Sequence, residues 1–228
     1  MTTPEMRIEG VAERVAAVRV RIVRACERVG RDAATVRLIG ISKTWPAEAV
    51  IQAYEAGLRD FGENRVQEAL AKIAALADRG LEPAWHLVGH LQTNKVRAAV
   101  GAFAILQSVD SERLLEAISM ASDRPVRIMI EVNVSGEETK FGVAPARLPG
   151  ILVTAAALPN IVVEGLMTVA PRFGSPDEAR PVFRELRCRA ETYGLHALSM
   201  GMTDDYEVAI EEGATHVRVG RAIFGERA

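Results

Sequence analysis

The chain has 228 residues, of which 49% are hydrophobic and 25% charged, with a formal net charge of -2. That length suits one α/β barrel or two small domains, and the apolar share can fill one sizeable core. The near-neutral balance argues against a broad electrostatic surface for nucleic acid or an acidic membrane.

Residues 4–29 read as a helix, because Ile8, Val11, Val15, Val18, Ile22, Ala25 and Val29 recur at alternating steps of three and four. Residues 1–31 are expected to pack on the domain as an N-terminal helix, with a dimerising coiled coil as the competing reading. After Arg31, β-rich runs appear at 36–43, 60–62, 85–91, 103–110, 126–133, 161–169, 197–203 and 216–224. Helical stretches separate them at 47–56, 65–79, 94–100, 112–121, 145–157, 177–193 and 205–212. Pro46, Ser111, Pro176 with Asp177, and Asp204 are opening signals, while Gly57, Gly80, Gly101, Gly194 and Gly213 close helices. Eight strands alternating with helices predict a single (β/α)8 TIM-type barrel with an extra N-terminal helix, one domain over 1–228. A doubly wound sheet competes, but it would carry a glycine-rich fingerprint after the first strand, and Ser42-Lys43-Thr44-Trp45 is not one.

No run of eighteen apolar residues suggests a membrane span, and Met1 to Glu5 lack the basic and apolar regions of a secretory signal. Cys26 and Cys188 are distant and outside any CxxC pattern, which fits two buried thiols in a reducing cytoplasm.

In such a barrel, chemistry gathers at the carboxyl ends of strands, and phosphate often docks after the seventh and eighth. Lys43 stands at the first of these ends, in a chain with 24 arginines and four lysines. Lysine, unlike arginine, can form a Schiff base, so the amine is either a covalent attachment point or an exposed strand-end charge. Alternation puts Ile39, Ile41 and Lys43 on one face, Arg218 and Gly220 inward on the last strand, and Ser199 with Gly201 together on the seventh. The amides of Gly201-Met202 and Gly220-Arg221, helped by the Ser199 hydroxyl, form a possible anion nest; otherwise these glycines merely close tight turns. Arg218 can equally serve a structural ion pair. His86 and His90 are four apart, which on a strand separates them by about 13 Å, so a shared metal is not expected.

Several motifs then stand in one order: Ile41-Ser42-Lys43-Thr44, Phe61-Gly62-Glu63-Asn64 with Val66-Gln67-Glu68, and Trp85-His86-Leu87-Val88-Gly89. Leu91-Gln92-Thr93-Asn94-Lys95, Gly165-Leu166-Met167-Thr168, Leu198 to Asp205, and Val217-Arg218-Val219-Gly220 with Ala222-Ile223-Phe224-Gly225 follow. Over nearly its whole length the chain resembles the YggS/PROSC family of pyridoxal-phosphate homeostasis proteins, whose fold is that of the alanine racemase barrel domain. The resemblance implies pyridoxal 5'-phosphate (PLP) as cofactor, with Lys43 as its Schiff-base lysine and Arg218 near the pyridine nitrogen. It implies that Ser199, Gly201, Met202, Gly220 and the amide of Arg221 hold the phosphate, and that Asn64, His86 and Met167 lie near the ring. Where relatives often carry proline this chain has His90, and where many carry a hydroxyl it has Arg221, whose guanidinium either contacts phosphate or points to solvent.

An arginine at the pyridine nitrogen disfavours the protonated ring that acts as a strong electron sink. Racemases with that arrangement use a second base, a tyrosine from another domain; the sequence ends at Ala228, so that domain is expected to be lacking. The expectation is a protein that buffers and delivers PLP without robust turnover, with apo PLP-dependent enzymes as further partners, as a monomer or weak homodimer. A weak amino-acid racemase and a Schiff-base aldolase are the alternatives. The aldolase would want a carboxylate or tyrosine beside Lys43, and neither Glu63 nor Glu131 has an evident partner in the sequence.

Overall fold

Eight short runs become parallel strands that close on themselves in chain order, each pairing with its neighbours and the first with the last. The computed structural model describes residues 10–137 and 139–226. The strands are β1 Arg37–Ile41, β2 Asp60–Glu63, β3 Ala84–Leu87, β4 Ile105–Val109, β5 Val126–Glu131, β6 Ile161–Met167, β7 Ala197–Ser199 and β8 His216–Val219. The helices are α1 Val11–Arg28, α2 Ala47–Glu55, α3 Val66–Ala77, α4 Val96–Ala102, α5 Glu112–Met120, α6 Leu148–Ala157, α7 Arg180–Thr192, α8 Tyr206–Glu211 and α9 Arg221–Phe224. This is the expected (β/α)8 barrel.

Alternation sets which side chains fill the barrel. A Cβ on Gly62 would run into Ile41 Cδ1 at 2.5 Å, so the inward face of β2 is kept small beneath the two isoleucines of β1. A Cβ on Gly40 would instead meet Leu58 and Phe224, on the helix side. Ile105, Met129 and Met167 form a small interior cluster, while the larger core lies between strands and helices.

The N-terminal helix buries Val11, Val15, Val18, Ile22, Ala25 and Cys26, the spacing seen in the sequence, against α2, α8 and α9. The expected helical residues 4–9, Ile8 among them, lie outside the described residues. Arg28 bridges Glu207 and Glu211 at 2.9 and 2.7 Å, tying α1 to α8.

The structure corrects three expectations. The run 216–224 is not one strand: β8 stops at Val219, Gly220 leaves extended geometry at φ -108 and ψ -78, and α9 follows. The run 197–203 is a strand only over Ala197–Ser199; beyond it Gly201 turns to φ 88, although its carbonyl still accepts from the Arg218 amide at 3.0 Å. Of the two thiols expected to be buried, Cys188 is exposed. Among the described residues no helix is long and apolar enough to cross a membrane.

Candidate functional site

At the carboxyl end of β1 the chain turns through Ser42, Lys43 and Thr44, and Thr44 takes φ 69, in the left-handed region. Short polar contacts hold this turn. The Ser42 hydroxyl donates to Glu63 Oε1 at 2.6 Å. The Lys72 ammonium, on α3, donates to the Ser42 carbonyl at 2.7 Å, Glu63 Oε1 at 2.6 Å and Glu68 Oε1 at 2.8 Å. Glu68 also accepts from the Thr44 amide. Burial pushes the Glu63 carboxyl above its ordinary range, with Lys72 and Ser42 opposing. Glu63 alternates with inward Gly62 and reaches α3, so it backs the turn from the helix side. It therefore has the partners that the sequence did not reveal, and they turn it away from the opening.

A second constellation crosses the barrel interior. Register pairs Ile39 of β1 with Arg218 of β8, and the Gly220 backbone comes close enough to the Ile41 carbonyl that a Cβ would sit 3.4 Å from it. The Lys43 turn and the β8 end therefore share one sector of the mouth. Arg218 is 4% exposed and donates to the Ser199 hydroxyl at 2.6 Å and the Thr168 carbonyl at 2.7 Å. Ser199 passes its own hydrogen to Gln107 Oε1 at 2.7 Å. Gln107 Nε2 meets His86 Nδ1 at 2.9 Å, and His86 Nε2 meets Asp60 Oδ1 at 3.0 Å, where Arg37 also donates at 2.9 Å. With the amide donating to Nδ1, the imidazole hydrogen is assigned to Nε2, facing Asp60.

Burial pushes the Arg218 guanidinium down to about 10, with Glu131 and Asp205 opposing. Burial, with Asp110 adding to it and Arg218 opposing, pushes the Glu131 carboxyl up to about 7. His216, beside this layer, is pushed down to about 3 by burial and by nearby His86 and Arg37, so it is uncharged at neutral pH.

The residues expected around a phosphate divide into two groups. Ser199 sits in the interior with its single hydrogen committed to Gln107, so its hydroxyl is not offered to an anion at the mouth. The Met202 amide donates to Asp205 Oδ1 at 2.6 Å. Gly201 is required by the protein itself, since a Cβ would lie 2.5 Å from Ala209 Cβ and 2.8 Å from Tyr206 Cα. Gly220 is different: its φ is negative and a Cβ would make only ordinary contacts, so nothing in the protein demands glycine there. Arg221 pairs with Asp204, so its guanidinium is already engaged at the surface.

Of the residues expected near a ring, His86 and Met167 are fully buried in the interior, below the mouth. Asn64 follows β2 and lies against the turn after β3, where Gly89 permits the approach; a Cβ on Gly89 would be 2.5 Å from the Asn64 carbonyl. His90 holds that turn by pairing with Asp110 at 3.2 Å and stacking on Phe141 at 4.3 Å between ring centroids. A groove of about 350 Å³ at the opposite end of the barrel is lined by Arg19, Arg37 and Arg59. These already donate to the Gly57 carbonyl, Asp60 and the Tyr54 carbonyl.

Sequence reading overlooked Gln107 and Lys72. Gln107 had one signal, a polar residue inside the apolar run of β4; Lys72 had another, its i,i+4 spacing from Glu68.

Residues 16–228 match the family model described as the alanine racemase N-terminal domain. A pyridoxal phosphate homeostasis protein of Aquifex aeolicus is 46% identical, with 94% of this chain and 97% of that protein covered. The structure of PipY from Synechococcus elongatus with PLP bound superposes with a TM-score of 0.82 at 37% identity, over 94% of this chain and all of that one. Corynebacterium glutamicum alanine racemase shares the fold, with a TM-score of 0.73 at 19% identity, over 96% of this chain and 62% of that chain.

Proposed function

The chain belongs to the family of pyridoxal phosphate homeostasis proteins, and from this we propose that it binds pyridoxal 5'-phosphate through a covalent link to Lys43, keeping and delivering the cofactor without robust turnover. The observation that carries the reading is the shared sector of the mouth. There a lysine turn and a glycine that the protein itself does not need lie side by side, above a buried arginine. These residues fit the group. A side chain at position 220 would fill space that a phosphate can use, and the Arg218 guanidinium is held rigidly enough to meet a pyridine nitrogen.

When bound, the cofactor supplies an electrophilic aldehyde and a conjugated ring that can take up electrons. Lys43 provides the amine and Gly220 the close backbone approach. Arg218 would meet the ring nitrogen as a donor. With Ser199 and Thr168 fixing it, the guanidinium cannot hand over a proton readily even at its lowered value of about 10, so it leaves the ring a weak electron sink. No tyrosine lines this interior among the described residues: Tyr54 is in α2, Tyr193 caps α7, and the Tyr206 hydroxyl is buried in α8 without a partner. A binder rather than a catalyst is the reading this chemistry favours.

Borohydride reduction of the cofactor-loaded protein, then peptide mass mapping, tests it. The pyridoxyl mass is expected on Lys43 and is expected to vanish in Lys43→Ala. A label on Lys95 or Lys140 in the unaltered protein would overturn the attachment point. Sustained racemase or lyase turnover near 1 per second would overturn the carrier role (about 17 kcal/mol of activation barrier at that rate).

A further inference from the structure

We infer that Lys72 is a positioning residue for Lys43, acting with Glu63 and Glu68 as a brace beneath the turn; this rests on the reading of Lys43 as the attachment point. Lys72 is 5% exposed, and an ammonium taken out of water is strongly unfavourable unless its hydrogens are all accepted. It has three hydrogens and meets three acceptors: the Ser42 carbonyl, Glu63 and Glu68. Each acceptor leads back to the same turn. The first is the backbone of the residue before Lys43. Glu63 also receives the hydroxyl of that residue, and Glu68 also receives the amide of the residue after it. The backbone on both sides of Lys43 is therefore held by one cluster.

The backbone supplies a second, independent observation. Thr44 is the non-glycine residue at positive φ among those described, a conformation that disfavours a β-branched side chain and persists only where the surroundings impose it. Its amide is the one Glu68 captures. The brace thus imposes an unfavoured backbone at Thr44, directly after the residue whose side chain must meet an aldehyde at a defined angle. Holding a reacting group in place is where much of the rate of such an addition comes from.

The test uses the full chain with PLP and with pyridoxine 5'-phosphate, which carries an alcohol in place of the aldehyde. Glu68 is partly exposed, so Glu68→Ala releases the Thr44 amide and one Lys72 hydrogen, which water can accept there, while the buried Lys72–Glu63–Ser42 contacts stay. Glu68→Ala is expected to slow the appearance of the lysine-linked absorbance band about tenfold, roughly 1.4 kcal/mol, with unchanged affinity for pyridoxine 5'-phosphate. Glu68→Gln, which keeps an acceptor for the same amide, is expected to restore the rate to within about twofold. Lys72→Met is expected to slow attachment at least as much, and if it does not fold the glutamate pair still decides. Attachment at the unaltered rate in Glu68→Ala overturns the inference, as does an equal loss of affinity for the alcohol analogue. A borohydride label away from Lys43 removes the attachment reading as well, so the two failures are distinguishable.

Discussion

Glu131→Gln probes the electrostatics of the barrel interior most directly. Glu131 is 7% exposed at the end of β5, and burial raises its carboxyl from 4.5 to about 7 in the folded protein. The folded chain therefore keeps a proton that the unfolded chain has released between those values. For a raised group the contribution to stability is full below the unfolded value of 4.5 and is lost as pH rises through about 7. At about 1.4 kcal/mol for each unit, the loss comes to roughly 3 kcal/mol by pH 8. Glutamine has nearly the same shape and no proton to lose. The variant should match the parent near pH 4.5 and exceed it by up to about 3 kcal/mol at pH 8. Urea unfolding of the ligand-free protein across this range measures the difference, provided the slope with denaturant is the same in both. Other raised carboxyls, such as Asp205, cancel in the comparison. Stability profiles that run parallel would refute the reasoning. A variant less stable at pH 8 would do so too, because it would mean that Arg218 depends on the ionised carboxylate more than burial penalises it.

The two glycines should separate cleanly. Gly201→Ala places a methyl 2.5 Å from Ala209 Cβ at a positive φ and should lower stability by about 2–4 kcal/mol in urea unfolding. Gly220→Ala should change stability by less than about 1 kcal/mol while weakening PLP binding, measured by titration of the absorbance band. Gln107→Leu strands the Ser199 hydroxyl and His86 Nδ1 in a dry interior, and should destabilise by about 2–5 kcal/mol by the same unfolding assay.

Most of the barrel was legible because its periodicities are local. Valines at steps of three and four announced α1, and short apolar runs between helix signals announced the strands. The ends were less legible. Nothing in Val219-Gly220-Arg221 distinguishes a continuing strand from a helical turn until the Phe224 amide is seen reaching back to the Gly220 carbonyl at 2.9 Å. Within the site, Lys43 and Arg218 could be read because a charge in an apolar run is conspicuous. Their partners could not. Ser199 reaches Gln107 across 92 positions and Lys72 reaches Ser42 across 30, and no pattern along one chain encodes such a meeting. Gly201 and Gly220 look alike in sequence, and only the neighbours of the absent Cβ tell them apart.

The file of groups from Arg218 through Ser199, Gln107 and His86 to Asp60 has a direction, since each member gives its hydrogen to the next. The Arg218 guanidinium can only donate and the Asp60 carboxylate, which also accepts from Arg37, can only accept, so the row is pinned at both ends and runs one way. Its far end rests on Arg37, whose side chain is 45% open to water. The orientation of the innermost dipoles is thus fastened at the outer wall, and solvent at the floor of the cylinder touches the same array that presents the guanidinium at its top.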